Sequence, residues 1–166
     1  MSFLYGNLQH FSDNMKIRRV VTGHNEKGQS VVKWDSEIEG IYRRPGCLGF
    51  EVWATKELPV KFTDDDPNEW ELGTSLSNGS VFRLVRYEPG AAKRWHKTDS
   101  IDYAIVLSGE MYMQLDTEDI LLKAGDVVVQ RGTIHNWDNR GPEPCVMAFI
   151  LIAKEGGGST GWEASR

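Results

Sequence analysis

Two histidines and a carboxylate stand at the ends of short apolar segments in this chain. One stretch reads Gly90-Ala-Ala-Lys-Arg-Trp-His96-Lys-Thr98-Asp-Ser-Ile-Asp102 and continues to Gly109. A second reads Gly132-Thr-Ile-His135-Asn-Trp137-Asp-Asn139. Side chains alternate along a strand, so His135, Trp137 and Asn139 share one face, and Asn136 and Asp138 the other. With the polar pair toward water, His135 and Trp137 point inward. An inward histidine must be hydrogen-bonded, metal-bound or catalytic, because an unsatisfied buried polar group is costly. The same alternation groups His96 with Thr98, and Asp102 with Ala104 and Val106. His96, Thr98, Asp102 and His135 can then converge from three strand ends. Two histidines and one carboxylate form the ligand set of non-haem Fe(II) sites, a set that zinc, manganese or nickel also accepts. The same residues equally suit a hydrogen-bonded plug without metal.

The elements that must position these residues are short strands. Residues 17–22 and 29–34 flank Gly23-His-Asn-Glu-Lys-Gly28 as a hairpin. Residues 50–55 form a third strand, and the polar, proline-containing stretch 59–70 reads as a loop. Asn78-Gly79 is a strong turn dipeptide, followed by a strand over 81–88 that ends at Pro89-Gly90. Further strands are expected over 101–107, 110–115, 120–122, 126–130, 134–137 and 145–153, each closed by a glycine- or aspartate-bearing turn. Many short strands at close spacing predict an all-β chain folded as a single antiparallel barrel or jelly roll, with extra N-terminal strands. No internal repeat is present. Residues 1–80 are expected to pack on the barrel or on a dimer partner, residues 81–153 to form the barrel core, and the Gly/Ser-rich residues 154–166 to form a mobile tail.

Bulk properties exclude several classes. The chain has 166 residues, enough for one domain with a sizeable core. Its net charge of −5, with no cluster of Lys or Arg, argues against nucleic-acid binding. No apolar stretch approaches the roughly 20 residues of a spanning helix. The opening Met-Ser-Phe-Leu-Tyr-Gly lacks a basic and an apolar leader region, so a cytoplasmic location is expected. Cys47 and Cys145 make no disulfide framework and suit a reducing compartment.

Three motifs fail on context. Gly156-Gly-Gly158-Ser-Thr-Gly161 matches a dinucleotide-binding pattern by letter, but no long helix can follow it, so no nucleotide cofactor is expected. Asp64-Asp-Asp66-Pro-Asn68 lacks the glycine and closing glutamate of a calcium loop. Asn78-Gly79-Ser80 reads as a turn before it reads as a glycosylation site. His10 and His24 lie in polar sequence and read as exposed.

The spacings resemble those of the cupin superfamily, whose motifs are G(X)5HXH(X)3-4E(X)6G and G(X)5PXG(X)2H(X)3N. Gly90, His96, Asp102 and Gly109 match the first in register, and Gly125, Gly132, His135 and Asn139 match the second. The second motif is one residue shorter here and lacks its proline. Thr98 replaces the second histidine, and Asp102 replaces the glutamate. The wording around both motifs looks like a small single-domain cupin subgroup of bacteria and fungi that has no well-defined general activity. The resemblance covers residues 81–153. It implies a barrel with a small-molecule pocket and, in many members, a divalent metal.

Three readings of function stay open. In the first, His96, Asp102 and His135 hold a divalent Fe, Mn, Ni or Zn ion that polarises a carbonyl or binds an enolate. Arg83 or Arg86, Tyr103, Met113, Gln130 and Trp137 are candidate pocket residues, and their aromatic and thioether content suits an apolar or aromatic oxygenated metabolite. In the second, no metal is needed: Asp102 orients His96, and His135 complements it in an isomerisation, dehydration or decarboxylation. In the third, the barrel binds a small molecule without turnover. A homodimer is expected in each case, with residues 17–34 contributing, since exposed edge strands seek cover.

Overall fold

The computed structural model describes residues 15–162. His10 and the last four residues of the expected tail lie outside them. The chain divides into two units, one ending at Gly40 and one beginning at Ile41.

The first unit is the expected hairpin. Strand β1 (Lys16–His24) pairs antiparallel with β2 (Ser30–Glu39), both running beyond the limits read from sequence. The turn is built by Asn25, whose Oδ1 accepts hydrogen bonds from the Lys27 and Gln29 amides, each at 3.0 Å. Gly28 supplies the left-handed residue the turn needs, at φ 74°. Cross-strand pairs of Lys16 with Glu39 and of Arg18 with Asp35 match opposite charges in this register. His24 is exposed at the hairpin end.

The second unit is an antiparallel barrel of two sheets. Its strands are β3 (Ile41–Arg44), β4 (Cys47–Thr55), β5 (Ser80–Tyr87), β6 (Ser100–Ser108), β7 (Glu110–Gln114), β8 (Asp119–Lys123), β9 (Val127–Gln130), β10 (Asn136–Asp138) and β11 (Cys145–Ala153). The larger sheet runs β3-β4-β5-β11-β6-β9, and the smaller β10-β7-β8. The period-two pattern of the sequence decides which side chains enter the core. Val81 and Val85 on β5, Ala104 and Val106 on β6, Met111 on β7, and Met147, Phe149 and Leu151 on β11 are all buried together. Cys47 and Cys145 are buried free thiols in this core.

Strand pairing aligns the rows that later matter. Glu51 lies across from Arg83, and Arg83 across from Phe149. Asp102 lies across from Leu151 on one side and from Gln130 on the other. Strands β3 and β4 belong to the larger sheet, and the second unit begins at Ile41. Residues 59–70 are irregular apart from a 3-10 turn, Pro67–Glu69, whose start is capped by Asp66 accepting from the Asn68 amide. The described part of the expected tail carries defined bonds. The Thr160 carbonyl accepts from the Thr74 amide at 2.6 Å, and Gly158 donates to Asp99. Among the described residues, no helix is long and apolar enough to cross a membrane.

Two motif glycines offer a check on this packing. Gly90 and Gly109 both have positive φ, 68° and 74°. A Cβ on Gly90 would meet nothing within 4 Å, whereas one on Gly109 would lie 2.6 Å from the Pro144 carbonyl oxygen and 2.9 Å from Cys145 Cα. Gly90→Ala should therefore cost only the backbone penalty of about 1–2 kcal/mol. Gly109→Ala should cost clearly more, because backbone must also move. Calorimetric melting of both variants decides the matter; equal losses would mean that the turn at Gly109 is not packed as described.

Candidate functional site

The site starts from a backbone contact. His96 lies in the connection between β5 and β6, and His135 lies just before β10. Their backbones form an isolated antiparallel bridge, with N–H donated in both directions at 3.0 and 2.9 Å. Residues directly opposed in such a bridge put their side chains on the same face. The imidazole centroids are consequently 4.4 Å apart, tilted by 48°. Trp137 stands edge-on to His135 at 5.4 Å, and Phe149 edge-on to Trp137 at 5.5 Å, which continues an aromatic row into the core.

Each ring is anchored the same way. Nδ1 of His96 lies 2.9 Å from the Arg94 carbonyl, and Nδ1 of His135 lies 3.0 Å from the Thr133 carbonyl. A carbonyl only accepts, so both Nδ1 atoms carry the proton and both Nε2 atoms are left as acceptors. Burial, the neighbouring His135 and the Arg94 guanidinium push His96 down to about 3. Burial also lowers His135, against the pull of its Thr133 carbonyl bond. Both rings are therefore neutral at pH 7.

Asp102 lines the same cavity but is otherwise engaged. Its Oδ2 accepts from the Thr98 hydroxyl at 3.0 Å and its Oδ1 from the Ser100 hydroxyl at 2.5 Å. Burial raises its pKa in spite of both donors. Among the described residues, no group of three His, Cys, Asp or Glu side chains is placed to hold a metal ion. The two imidazoles fit two positions of a metal site; Asp102 does not supply the third. Thr98, which stands where the motif has a histidine, turns its hydroxyl to the carboxylate instead.

The histidines and Asp102 border a partly open cavity of about 410 Å³, its solvent-filled mouth included. Of the expected pocket residues, Arg83 and Trp137 line it. Tyr103 does not: it alternates with the inward Asp102 and Ala104 and is 42% exposed. Met113 packs in the apolar core on β7. Gln130 is buried, but its amide is spent on the Thr133 carbonyl and hydroxyl, where it holds the loop that carries His135. Arg86 falls on the opposite face of β5 from Arg83 and pairs with Glu88. Asn136 and Asp138, expected to face water, are buried and satisfied. Asn136 accepts from the Arg94 amide and donates to Gln114, and Asp138 accepts from Arg140. Asn139 ties its own loop to Tyr87 and Glu143.

The remaining lining divides by how visible it was. Val85 and Tyr87 follow Arg83 by strand alternation, Phe149 and Leu151 do so along β11, and Arg94 precedes His96 by two. Arg44, Thr74 and Trp162 also line the cavity, from segments with no local signal to mark them. Trp162 donates its indole N–H to the Leu72 carbonyl and lies 4.3 Å over the Arg83 guanidinium.

The neutral histidines make the protein's stability pH-dependent. His96 has a folded pKa below its unfolded value of about 6.5, so the unfolded chain binds more protons as pH falls. Its contribution is complete above the unfolded pKa and is lost progressively as pH falls toward about 3. Asp102, with a raised pKa, acts with the opposite sign at the acid end of that window. Urea unfolding of wild type and His96→Asn should show a shallower acid limb in the variant, by up to about 1.4 kcal/mol per pH unit. Parallel limbs would mean that His96 is not buried neutral.

Comparison with known proteins agrees with this architecture. A family model described as cupin domain matches residues 83–152. The chain is 32% identical over 160 residues to the cupin-domain-containing oxidoreductase fogC of Aspergillus ruber, covering 89% of this chain and 78% of that protein. It is 54% identical over 134 residues to phomopsin biosynthesis cluster protein C' of Diaporthe leptostromiformis, covering 74% and 70%. Among solved structures, the polyketide cyclase RemF from Streptomyces resistomycificus shares the fold at a TM-score of 0.50 and 15% identity, over 74% of this chain and 79% of that one. With the matched motifs, the two-sheet barrel and relatives of this extent, the chain belongs to the cupin family.

Proposed function

We propose that this chain is an enzyme that acts on a small oxygenated metabolite in the cavity, with His96 and His135 accepting and returning a proton at Nε2. The observation that carries this reading is the paired Nδ1 anchor. Two independent carbonyls hold both rings in the same tautomer, and both histidines border one cavity. Such orientation is what a proton-transfer site requires before any substrate arrives. A ligand bringing negative charge raises the basicity of both rings, against the effect of burial. Isomerisation moves a proton from one carbon to another, dehydration removes one as hydroxide departs from the neighbouring carbon, and decarboxylation returns one to the carbon that has lost CO2, so each uses proton transfer at these nitrogens. Several relatives are named as oxidoreductases or as biosynthesis cluster proteins, so a substrate screen should cover oxidation of keto and phenolic compounds as well.

A second reading draws on the same anchors. A histidine that binds a metal through Nε2 typically donates its other N–H to a carbonyl. His96 and His135 would hold a divalent Fe, Mn, Ni or Zn ion as a Lewis acid, with further donors coming from water or substrate and none from Asp102 as it stands.

Two measurements separate these readings. Nitrogen-15 spectra should show the Nδ1–H tautomer for both histidines; an Nε2–H tautomer in either ring sinks the proposal in both forms. Protein purified without an affinity metal is then screened for turnover with and without a chelator, alongside its metal content. Proton transfer predicts turnover that survives chelation and falls about 10²- to 10⁴-fold in His96→Ala or His135→Ala. Near-stoichiometric metal that disappears in those variants, with turnover lost on chelation, would favour the second reading.

We also propose a homodimer. Val20, Val31 and Val32 on the hairpin, and Ile41 and Tyr42 on the edge strand β3, are large apolar side chains left exposed. Sedimentation at micromolar concentration should give twice the chain mass, and Tyr42→Lys should lower it. A wild-type monomer would refute this.

A further inference from the structure

We propose that the cavity binds its ligand through a carboxylate, gripped by the guanidinium groups of Arg83 and Arg94 with Arg44 beside them. The inference deepens the reading of this cavity as a substrate site and rests on it.

Three arginines line the cavity, Arg44, Arg83 and Arg94, against the single carboxylate of Asp102, whose oxygens are taken by two hydroxyls. Arg83 is only 2% exposed. Its Nη2 donates to the Gly73 carbonyl at 2.7 Å, and its Nε faces Glu51 Oε2 at 3.2 Å. Glu51 is shared, since its other oxygen accepts from Arg43 at 3.0 Å. One carboxylate thus serves two guanidiniums. Arg83 Nη1, with two N–H groups, is buried and has no acceptor among the described residues.

Arg94 has no carboxylate partner among the described residues. Its Nη2 is steered by neutral acceptors, the Thr74 hydroxyl at 3.0 Å and the Gly161 carbonyl at 2.7 Å, and its Nε is buried without a partner. Arg44 is likewise oriented by a carbonyl, that of Ala92 at 2.7 Å. Burial and repulsion from Arg44 push Arg94 down to about 10, still charged at pH 7.

Buried cations without counter-charge are costly, and a buried donor without an acceptor calls for a missing partner. A water could satisfy Arg83 Nη1 but would leave Arg94 without a counter-charge. An anionic oxygen pair does both, and the planar guanidinium fork matches a carboxylate. Trp162 lies over Arg83 at 4.3 Å and over Arg94 at 5.8 Å, so its indole contacts both cations. Beside Arg83 on the same sheet, Val85, Phe149 and Leu151 offer an apolar wall for the body of the molecule.

The test uses the full chain and three carboxylate probes, acetate, benzoate and indole-3-acetate, each beside its neutral amide, with inorganic phosphate as a further anion. Binding is read by the melting temperature against ligand concentration and by the Nε–H nitrogen-15 signals of Arg83 and Arg94. At least one carboxylate should bind about tenfold or more tighter than its amide and shift both arginine signals. Arg94→Lys, which keeps the charge and loses the fork, should weaken that carboxylate by about tenfold or more. Arg83→Met leaves Glu51 less compensated, so it is made together with Glu51→Gln and should abolish the preference for acid over amide. Amides binding as tightly as acids, no response to any carboxylate, phosphate binding more tightly than every carboxylate, or wild-type affinity in Arg94→Lys would each overturn the proposal. The His96→Asn/His135→Asn double variant separates this from the catalytic reading. Acid-selective binding that survives in it, with turnover unchanged, would leave the subsite standing and remove the histidines from catalysis. Turnover lost in that variant, with no selectivity for acids in the wild type, would do the reverse.

Discussion

The double hydrogen bond between the His96 and His135 backbones is the contact on which the site depends. Neither residue sits in a long strand, so the two segments meet here through an isolated bridge. The bridge holds them with two bonds, and its antiparallel geometry sends both imidazoles to one face. The surrounding bonds brace it. The Asn139 carbonyl accepts from Gly90, Asn136 holds the Arg94 amide, and Gln130 holds the loop at Thr133. Each is a buried polar group satisfied by a group near a histidine, so satisfying the barrel's backbone and orienting the rings are achieved by the same bonds.

Once the rings are placed, burial decides their chemistry. Desolvation disfavours the imidazolium form, and the nearby Arg94 adds repulsion. The outcome is a pair of neutral acceptors next to a set of guanidiniums. Asp102 meets the same low-dielectric surroundings and responds in the opposite direction, with its pKa raised. Its two oxygens are satisfied within its own segment, by Thr98 and Ser100.

The cavity is an assembly of distant segments. The larger sheet contributes Arg44, Arg83, Asp102 and the apolar wall of β11, while the connection after β5 contributes Arg94 and His96. Residues 160–162 close one side, tied to Thr74, Leu72 and Arg94. Arg83 stands where strand register places Glu51 on one side and Phe149 on the other, between charge and core. That position explains how a guanidinium can be buried in a barrel and still face its cavity.

Local physics made much of this protein legible from its residues alone. Strand alternation and glycine or asparagine turns act over a few neighbours, so the strands, the hairpin, the inward faces of His135 and Trp137, and the antiparallel barrel could all be read in order. The same alternation turns Tyr103 outward from Asp102 and Ala104, and sets Val85, Tyr87, Phe149 and Leu151 on the cavity side. Tertiary structure alone decided the rest. Asp102 is engaged by the Thr98 and Ser100 hydroxyls, which belong to its own segment. Whether Asn136 faces water depends on what covers β10, and Met113 and Gln130 left the cavity because of the strands they pack against. Arg44, Thr74 and Trp162 reach the site through contacts between residues far apart in the chain. No spacing encodes such contacts, because they exist only after the sheets have closed and the buried charges have found, or failed to find, their partners.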